Sequence, residues 1–314
     1  MRIAILGANG RVAHAVAKAF LDHGHAVIAI TRSGRCDGLT GKVEFRAADA
    51  ASAAPLIAAT EGADIIFNGL NPRYDEWDEK VMPMARNVMT AARTHGIPHL
   101  FIGNVYNYGH GMPVGAGPET PQRAETRKGQ IRIDMERMFE QEASQHGVKT
   151  VILRAGDFFG TAGKGSWFDQ ALVKDIEKGI FAWPGRADIP HAFAYLPDLA
   201  EAFVALAERM DTLPTFASYN FEGHTLDGNA FRRHVEQAVG RSLRMGSAPW
   251  WMFRLVSPFY RMARELLEMR YLWNTPHSLD DSALRDVIGP PPATPAFSAI
   301  RDALVAQGKQ VRAG

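Results

Sequence analysis

Apolar residues in the first half of the chain follow two alternating patterns. Short runs at Ile3–Leu6, Ala26–Ile30, Val43–Ala47, Asp64–Asn68, His99–Ile102 and Thr150–Arg154 have the length and composition of buried strands. Between them, spacings of three and four set Val12, Val16, Ala19, Phe20 and His23 on one helical face. The same spacing recurs in Val81, Met84, Ala85, Val88 and Ala92, and again in Ile131, Met135, Met138, Phe139 and Glu142. Gly24, Gly96 and Gly147 stand where a helix C-terminal glycine belongs. Pro83 places the start of its helix nearby or kinks it. Strands alternating with helices predict an α/β fold, a doubly wound parallel sheet with right-handed crossovers. Ligands of such sheets bind beyond the carboxyl ends of the strands.

After Gly160 the pattern loosens, and Gly, Trp and Pro become frequent up to Pro190, as in loops over a cleft. Asp198-Leu-Ala-Glu201 has the form of a capping box with Asp198 as N-cap, opening a helix through Ala202, Leu206 and Ala207. Tyr219–Phe221 reads as one more strand, and the remainder as helices with Pro-rich joints. The expected organisation is a first domain over 1–157, rejoined by 196–222, and a smaller, mainly helical C-terminal lobe from 158–195 and 223–314.

The segment Gly7-Ala-Asn-Gly10-Arg-Val-Ala13 lies between the first strand and the first helix. Gly7 permits the tight turn, Gly10 lets a pyrophosphate approach the backbone, and Ala13 allows close helix–sheet packing. The helix N-terminus then favours phosphate charge. This is the turn of a Rossmann-type dinucleotide site, with Gly7, Asn9, Gly10, Arg11 and Val12 as its contacts; the other reading is a tight turn that binds nothing. Arg32 ends the second strand, where an acid would bond a ribose 2′-hydroxyl and an arginine accommodates a 2′-phosphate. No Asp or Glu occupies positions 30 to 34, and Arg35 adds positive charge. NADP is therefore expected, with NAD second. Asp49 and Ala50 follow the third strand; Asp49 meets the adenine amino group or caps the next helix. Asn68, Gly69 and Leu70 end the fourth strand, Gly103 the fifth and Ala155 the sixth, all at the cofactor's edge.

With 46% hydrophobic and 22% charged residues in 314, the composition is that of a globular chain. A formal net charge of +1 supplies no bulk field for nucleic acid or anionic lipid. Cys36 is the only cysteine, which excludes an internal disulfide and suits the cytosol. A strand from Arg2 leaves no room for a signal peptide, so a cytoplasmic location is expected. The richest apolar stretch, Ala248–Val256, is broken by Arg254, far short of the roughly 18 residues of a spanning helix, so no stable membrane insertion is expected. Trp250, Trp251, Phe253 and Phe259 cluster with Arg254 and Arg261. Such a segment packs against its own domain or a subunit partner, or dips into a membrane surface; a homodimer is one option. His95 and His99 are separated by Gly96 and Pro98 and form no helical metal pair, and neither a zinc-protease helix nor a glycine-flanked nucleophilic serine is present.

Taken with Asp49-Ala50, Tyr108-Gly109, Leu153-Arg154 leading to Phe159-Gly160, and Leu196-Pro197-Asp198-Leu199-Ala200, the glycine turn resembles the atypical or extended short-chain dehydrogenase/reductase superfamily. The branch it resembles is that of the NAD-dependent epimerases and dehydratases. Tyr271-Leu272-Trp273 and Thr294-Pro295 are similar to the same branch, so the resemblance spans nearly the whole chain. The family's chemistry uses Ser or Thr with a Tyr and a Lys four apart on one helix, the Tyr moving the proton during hydride transfer. On that resemblance Glu136 matches a Glu found four residues after the Lys. Arg132 then takes the Lys place, Lys128 the Tyr place and Asn104 the Ser/Thr place. All three depart from the family pattern.

Two readings of that helix stay open. Arg132 holds ribose hydroxyls while Lys128 binds an anionic substrate or donates a proton, or the face is a solvated ladder in which Arg132 pairs with Glu136. Tyr106 and Tyr108 follow the fifth strand, where a phenol can replace the missing acid; a packed aromatic is an equal reading of each. Tyr74 and Trp77 form a substrate wall or core. Phe158, His191 and Tyr195 belong to the lobe that covers substrate, His191 as a catalyst or a structural ring. The function expected is an NADP-dependent oxidoreductase or epimerase/dehydratase-like enzyme acting on a small carbonyl or hydroxyl compound. The alternative is a non-catalytic NADP-binding regulator or redox sensor.

Overall fold

The computed structural model describes residues 1–163 and 165–312. Six strands come first: β1 (Arg2–Leu6), β2 (Ala26–Thr31), β3 (Val43–Ala47), β4 (Ile65–Asn68), β5 (His99–Gly103) and β6 (Thr150–Ala155). Then follow β7 (Asp157–Phe159), β8 (Ile180–Trp183), β9 (His191–Tyr195), β10 (Phe216–Phe221), β11 (His224–Leu226) and β12 (Arg244–Ser247). The helices are α1 (Arg11–Asp22), α2 (Ala53–Thr60), α3 (Trp77–His95), α4 (Arg127–His146), α5 (Leu196–Glu208), α6 (Gly228–Val239), α7 (Trp250–Val256), α8 (Arg261–Glu268), α9 (Ser282–Ile288) and α10 (Ala296–Ala306).

Seven strands form one parallel sheet in the order β10-β6-β5-β4-β1-β2-β3. The chain thus reverses direction across the sheet between β1 and β4, the switch point of a Rossmann fold. Ile3, Ile5, Val27, Ala29, Ile65 and Phe67 pack under α1 and α5, against Val16, Phe20, Leu199 and Phe203. Ala4, Leu6, Ile28, Ile30 and Ile66 face the other way, against Leu56, Val88 and Phe139 of α2, α3 and α4. Two covered faces explain why these strands read as unbroken apolar runs. Each buried Ile, Leu or Phe contributes about 1.5–3 kcal/mol. A separate aromatic core of Phe159, Phe181, Trp183, Phe193, Phe231 and Trp273 holds the second lobe together with Ile300 and Leu304 of α10.

Several elements differ from the sequence expectation. α3 begins at Trp77 and runs through Pro83, which sits inside the helix rather than at its start. α5 begins at Leu196 with Pro at its first turn, and Asp198 is not its N-cap. The Asp198 carboxylate instead accepts from the backbone N–H and Oγ1 of Thr294, both at 2.8 Å, tying α5 to the tail. The Gly160–Pro190 stretch is not only loop: β8 pairs with β12 across the second lobe. β9 pairs with β7 and β11. These strands are three to five residues long, too short for a periodicity to show.

Two imidazoles make the fold acid-sensitive. Burial holds His99 and His277 neutral, pushing each down to about 3 from the ordinary 6.5. The unfolded chain binds these protons near pH 6.5 and the native fold only near pH 3. Stability present above the unfolded value is therefore lost as pH falls through that window, by up to about 1.4 kcal/mol per pH unit per ring. A His99→Leu variant should show a shallower decline of the urea midpoint between neutral and acid pH than wild type; parallel declines would contradict this.

Candidate functional site

Parallel register brings the ends of β1, β4, β5 and β6 to one edge. Leu6 pairs with Ile30 and Asn68, and Gly103 with Arg154. Gly7 follows at φ +72°, a conformation that favours glycine. A Cβ there would meet the Gly69 carbonyl oxygen at 3.2 Å, and one at Gly69 would stand 2.7 Å from the Ala13 Cβ. The Gly7 and Ala8 N–H groups donate to the Ile30 carbonyl at 2.9 and 3.2 Å, fixing the turn. Gly10 is the N-cap of α1, and among the described residues no side chain caps the helix. A twelve-residue helix thus offers its first N–H groups beside a cradle kept free of side chains, which suits a pyrophosphate. Arg11 leans over this edge, 3.9 Å from Asp169, and burial lowers its pKa. Val12 packs against the core.

Arg32 and Arg35 are exposed and make no ion pair among the described residues. The Asn9 amide donates to the Arg35 carbonyl at 3.0 Å, holding the β2 turn to the glycine turn. Asp49 is exposed and accepts the Ala51 N–H at 2.9 Å; Ser52, not Asp49, is the N-cap of α2. Ala50 is buried, its carbonyl accepting from the Asn87 amide at 2.8 Å. Asn68 is buried and accepts the Leu70 N–H at 3.2 Å.

α4 carries Lys128 and Arg132, the two residues that the sequence resemblance singles out. Thr126 caps it by accepting the Gly129 N–H at 3.1 Å. A Cβ at Gly129 would run into Ala124 and the Tyr106 carbonyl, so glycine lets α4 press against the turn after β5. The solvated-ladder reading fails here, because Lys128 is 1% and Arg132 7% exposed. Glu136 does not pair with Arg132; it forms a buried bidentate pair with Arg154, at 3.1 Å to Nε and 2.6 Å to Nη2. Lys128 Nζ is clamped by Glu265 and, at 2.8 Å, by Glu268, both from α8. The Lys128 backbone N–H also donates to Glu268 at 2.9 Å. The lysine ammonium is thereby committed to carboxylates of its own chain. Arg132 has no such partner among the described residues. Its guanidinium lies 4.7 Å from the Trp77 ring centroid and 5.3 Å from that of Phe101, and its buried Nε makes no hydrogen bond. A small pocket lined by Asn68, Leu70, Phe101 and Arg132 opens beside it.

Next to Arg132 the Tyr106 and Tyr74 hydroxyls meet at 2.6 Å. Burial raises the pKa of Tyr74 and lifts that of Tyr106 well above the ordinary 10. Asn104 accepts the Tyr106 N–H at 3.1 Å, which shapes the turn presenting that ring. Gly103 packs on the Arg154 side chain. Tyr108 is turned away: its hydroxyl lies 3.1 Å from Asn220 and 3.2 Å from Arg154, within the buried network under the site. Beyond buried Ala155, the Asp157 carboxylate faces His191 Nε2 at 2.8 Å. The His191 ring stacks on Trp273 at 4.2 Å and meets His277 edge-on at 4.4 Å. Phe158 is half-buried, and Tyr195 packs over Gly160 and Phe159.

The structure therefore gathers Tyr74, Tyr106, Arg132 and Arg11 at the carboxyl edge; Lys128 Nζ lies 5.4 Å from the Tyr74 ring centroid but is held by the α8 carboxylates, and Tyr108 belongs to the network beneath. Sequence reasoning missed Asp157, Glu265 and Glu268. Asp157 had a signal, standing just past β6 where doubly wound sheets bind ligands. The two glutamates had none, because they lie 137 and 140 residues from Lys128.

No curated protein matches the chain in sequence. UDP-glucose 4-epimerase from Brucella ovis, solved in complex with NAD, shares the fold with a TM-score of 0.79 at 15% identity over 99% of either chain. UDP-glucuronic acid 4-epimerase from Bacillus cereus, in complex with UDP-glucuronic acid and NAD, gives 0.77 at 14% over 98% of each. UDP-N-acetylglucosamine 4-epimerase from the same species gives 0.76 at 13%, over 98% of this chain and 100% of its own. Residues 7–166, just over half of the chain, match the NAD(P)H-binding family. With that match on top of an extended dehydrogenase/epimerase fold, the chain belongs to the NAD(P)H-binding family.

Proposed function

We propose that the protein is a cytoplasmic NADP-dependent oxidoreductase or epimerase/dehydratase-like enzyme acting on a small carbonyl or hydroxyl compound. In this reading its proton donor is Tyr106 in place of the usual Ser/Tyr/Lys set. The observation that carries the reading is the Tyr74–Tyr106 hydroxyl pair beside Arg132, whose buried Nε makes no hydrogen bond among the described residues, at the sheet's carboxyl edge. The Gly7–Gly69 cradle and the uncapped start of α1 fit the dinucleotide's pyrophosphate, and Arg132 its ribose hydroxyls. When bound, the nicotinamide exchanges a hydride with substrate. Tyr106, held neutral by burial, offers its proton to a carbonyl oxygen, and Tyr74 orients it through the shared hydrogen bond. A phenol that stays protonated at neutral pH is in the form that carbonyl reduction requires, whereas alcohol oxidation requires the phenolate.

The clamped Lys128 favours a second reading, a non-catalytic NADP-binding regulator. The two separate by following cofactor oxidation by the purified protein across aldehydes, quinones and keto-sugars. Turnover of any class supports the enzyme, and tight NADPH binding without turnover supports the regulator.

The NADP preference rests on exposed Arg32 and Arg35 and the lack of an acid at the end of β2. NADPH should bind more tightly than NADH, and Arg32→Ala should remove most of the difference. A charge-assisted bond to phosphate is worth on the order of 1.5–3 kcal/mol, or roughly tenfold to a hundredfold. Equal affinities of wild type for both cofactors would reject the preference.

A further inference from the structure

The second lobe carries a ridge that its own core does not cover. α7 is anchored from beneath by Trp250, which is 8% exposed and donates its indole N–H to the Pro184 carbonyl at 2.6 Å. The residues around it point outward: Trp251 is 68% exposed, Leu255 67% and Phe259 93%. Tyr260, Met252 and Val256 extend the same surface. The expectation that this aromatic segment packs against its own domain holds for Trp250 and for half-buried Phe253, whose ring lies 5.8 Å from that of Trp250. A contiguous apolar surface left bare marks an interaction site.

Charge decides what covers it. From Leu243 to Arg264 the chain holds no Asp or Glu but four arginines: Arg244, Arg254, Arg261 and Arg264. Arg261 is tied to Asp78 and Glu79 at the base of the ridge. Arg254 and Arg264 are exposed and make no ion pair among the described residues. The ridge is convex, because residues 251, 252, 254, 255 and 256 of one short helix are all exposed. A second copy docking on it by two-fold symmetry would set the same arginines near one another. A deformable anionic surface accepts a convex apolar tip and pairs with the arginines around it, and Trp and Tyr suit the headgroup level. Among the described residues no helix is long and apolar enough to cross a bilayer, so the contact is superficial.

We infer that the α7–α8 ridge docks this protein reversibly on a bilayer surface bearing anionic phospholipids, with Trp251, Leu255 and Phe259 dipping into the interface and Arg254 and Arg264 meeting headgroup phosphates. The test is co-sedimentation with phosphatidylcholine vesicles, with and without about a third phosphatidylglycerol, at low and high salt. Wild type should bind the anionic vesicles preferentially and be released by salt. Arg254→Gln/Arg264→Gln should lose roughly tenfold or more of that binding. Trp251→Ser/Phe259→Ser should lose it as well, with melting and NADPH affinity kept in both variants, which shows that they fold. Wild-type binding no greater than that of the variants would overturn the inference, as would binding indifferent to lipid charge. So would a wild-type dimer that Trp251→Ser/Phe259→Ser dissociates, since a second copy would then be the occupant.

Discussion

Lys128→Met is expected to lower the free energy of unfolding by about 3–5 kcal/mol, the usual cost of deleting one partner of a buried ion pair. The side chain is 2% exposed and meets carboxylates that are themselves 11% and 20% exposed. Without the ammonium, Glu265 and Glu268 face each other in a site with little water to screen them. The companion variant Lys128→Met/Glu265→Gln/Glu268→Gln removes that repulsion, and the amide oxygen introduced by Glu268→Gln can still accept the residue-128 N–H. It should recover most of the loss, because replacing a whole buried ionic cluster is often near neutral. Equilibrium urea unfolding of the two variants checks this. A single variant as stable as wild type would mean that the clamp is not closed in solution. A triple variant no better than the single one would place the cost in packing. If Lys128 is free to act on substrate, the single variant should instead keep its stability and lose turnover.

This clamp shows where reading the sequence reaches its limit. The doubly wound sheet was legible because both of its faces are buried, so strands such as β1, β2 and β4 appear as apolar runs between helical stripes ended by glycine. The glycine turn was legible because its chemistry is local: Gly7, Gly10 and Ala13 answer to backbone geometry within one turn. The face of α4 was legible as a face, with Lys128 and Arg132 one turn apart, but the fates of the two residues were not. One is neutralised by a helix late in the chain, and the other is left on Trp77 and Phe101. The Asp198 motif misled because a local capping pattern also occurs where the carboxylate is used elsewhere, here by Thr294. Tyr106 and Tyr108 are indistinguishable as letters. Two residues apart on a tight turn, they part company, one ring reaching Tyr74 and the other Arg154.

Tyr106→Phe should depress carbonyl reduction by about 10²–10⁴-fold in kcat, the usual contribution of a positioned general acid, while NADPH affinity stays close to wild type. Tyr74→Phe should cost less, because it removes the partner that orients the Tyr106 hydroxyl and leaves the proton in place. The pH profile separates this donor from other candidates. Burial lifts the Tyr106 phenol well above its ordinary value of 10, with the Tyr74 and Asp157 charges acting in the same direction and Arg132 opposing them. A group with a raised pKa remains protonated as the medium turns alkaline, so kcat for reduction should hold level from neutrality to about pH 10. A donor with an ordinary imidazole's pKa would instead cost activity from near neutrality upward. Turnover unchanged in Tyr106→Phe would exclude the phenol as donor. A kcat that falls from near neutrality would likewise exclude it, because a phenol with a raised pKa keeps its proton there.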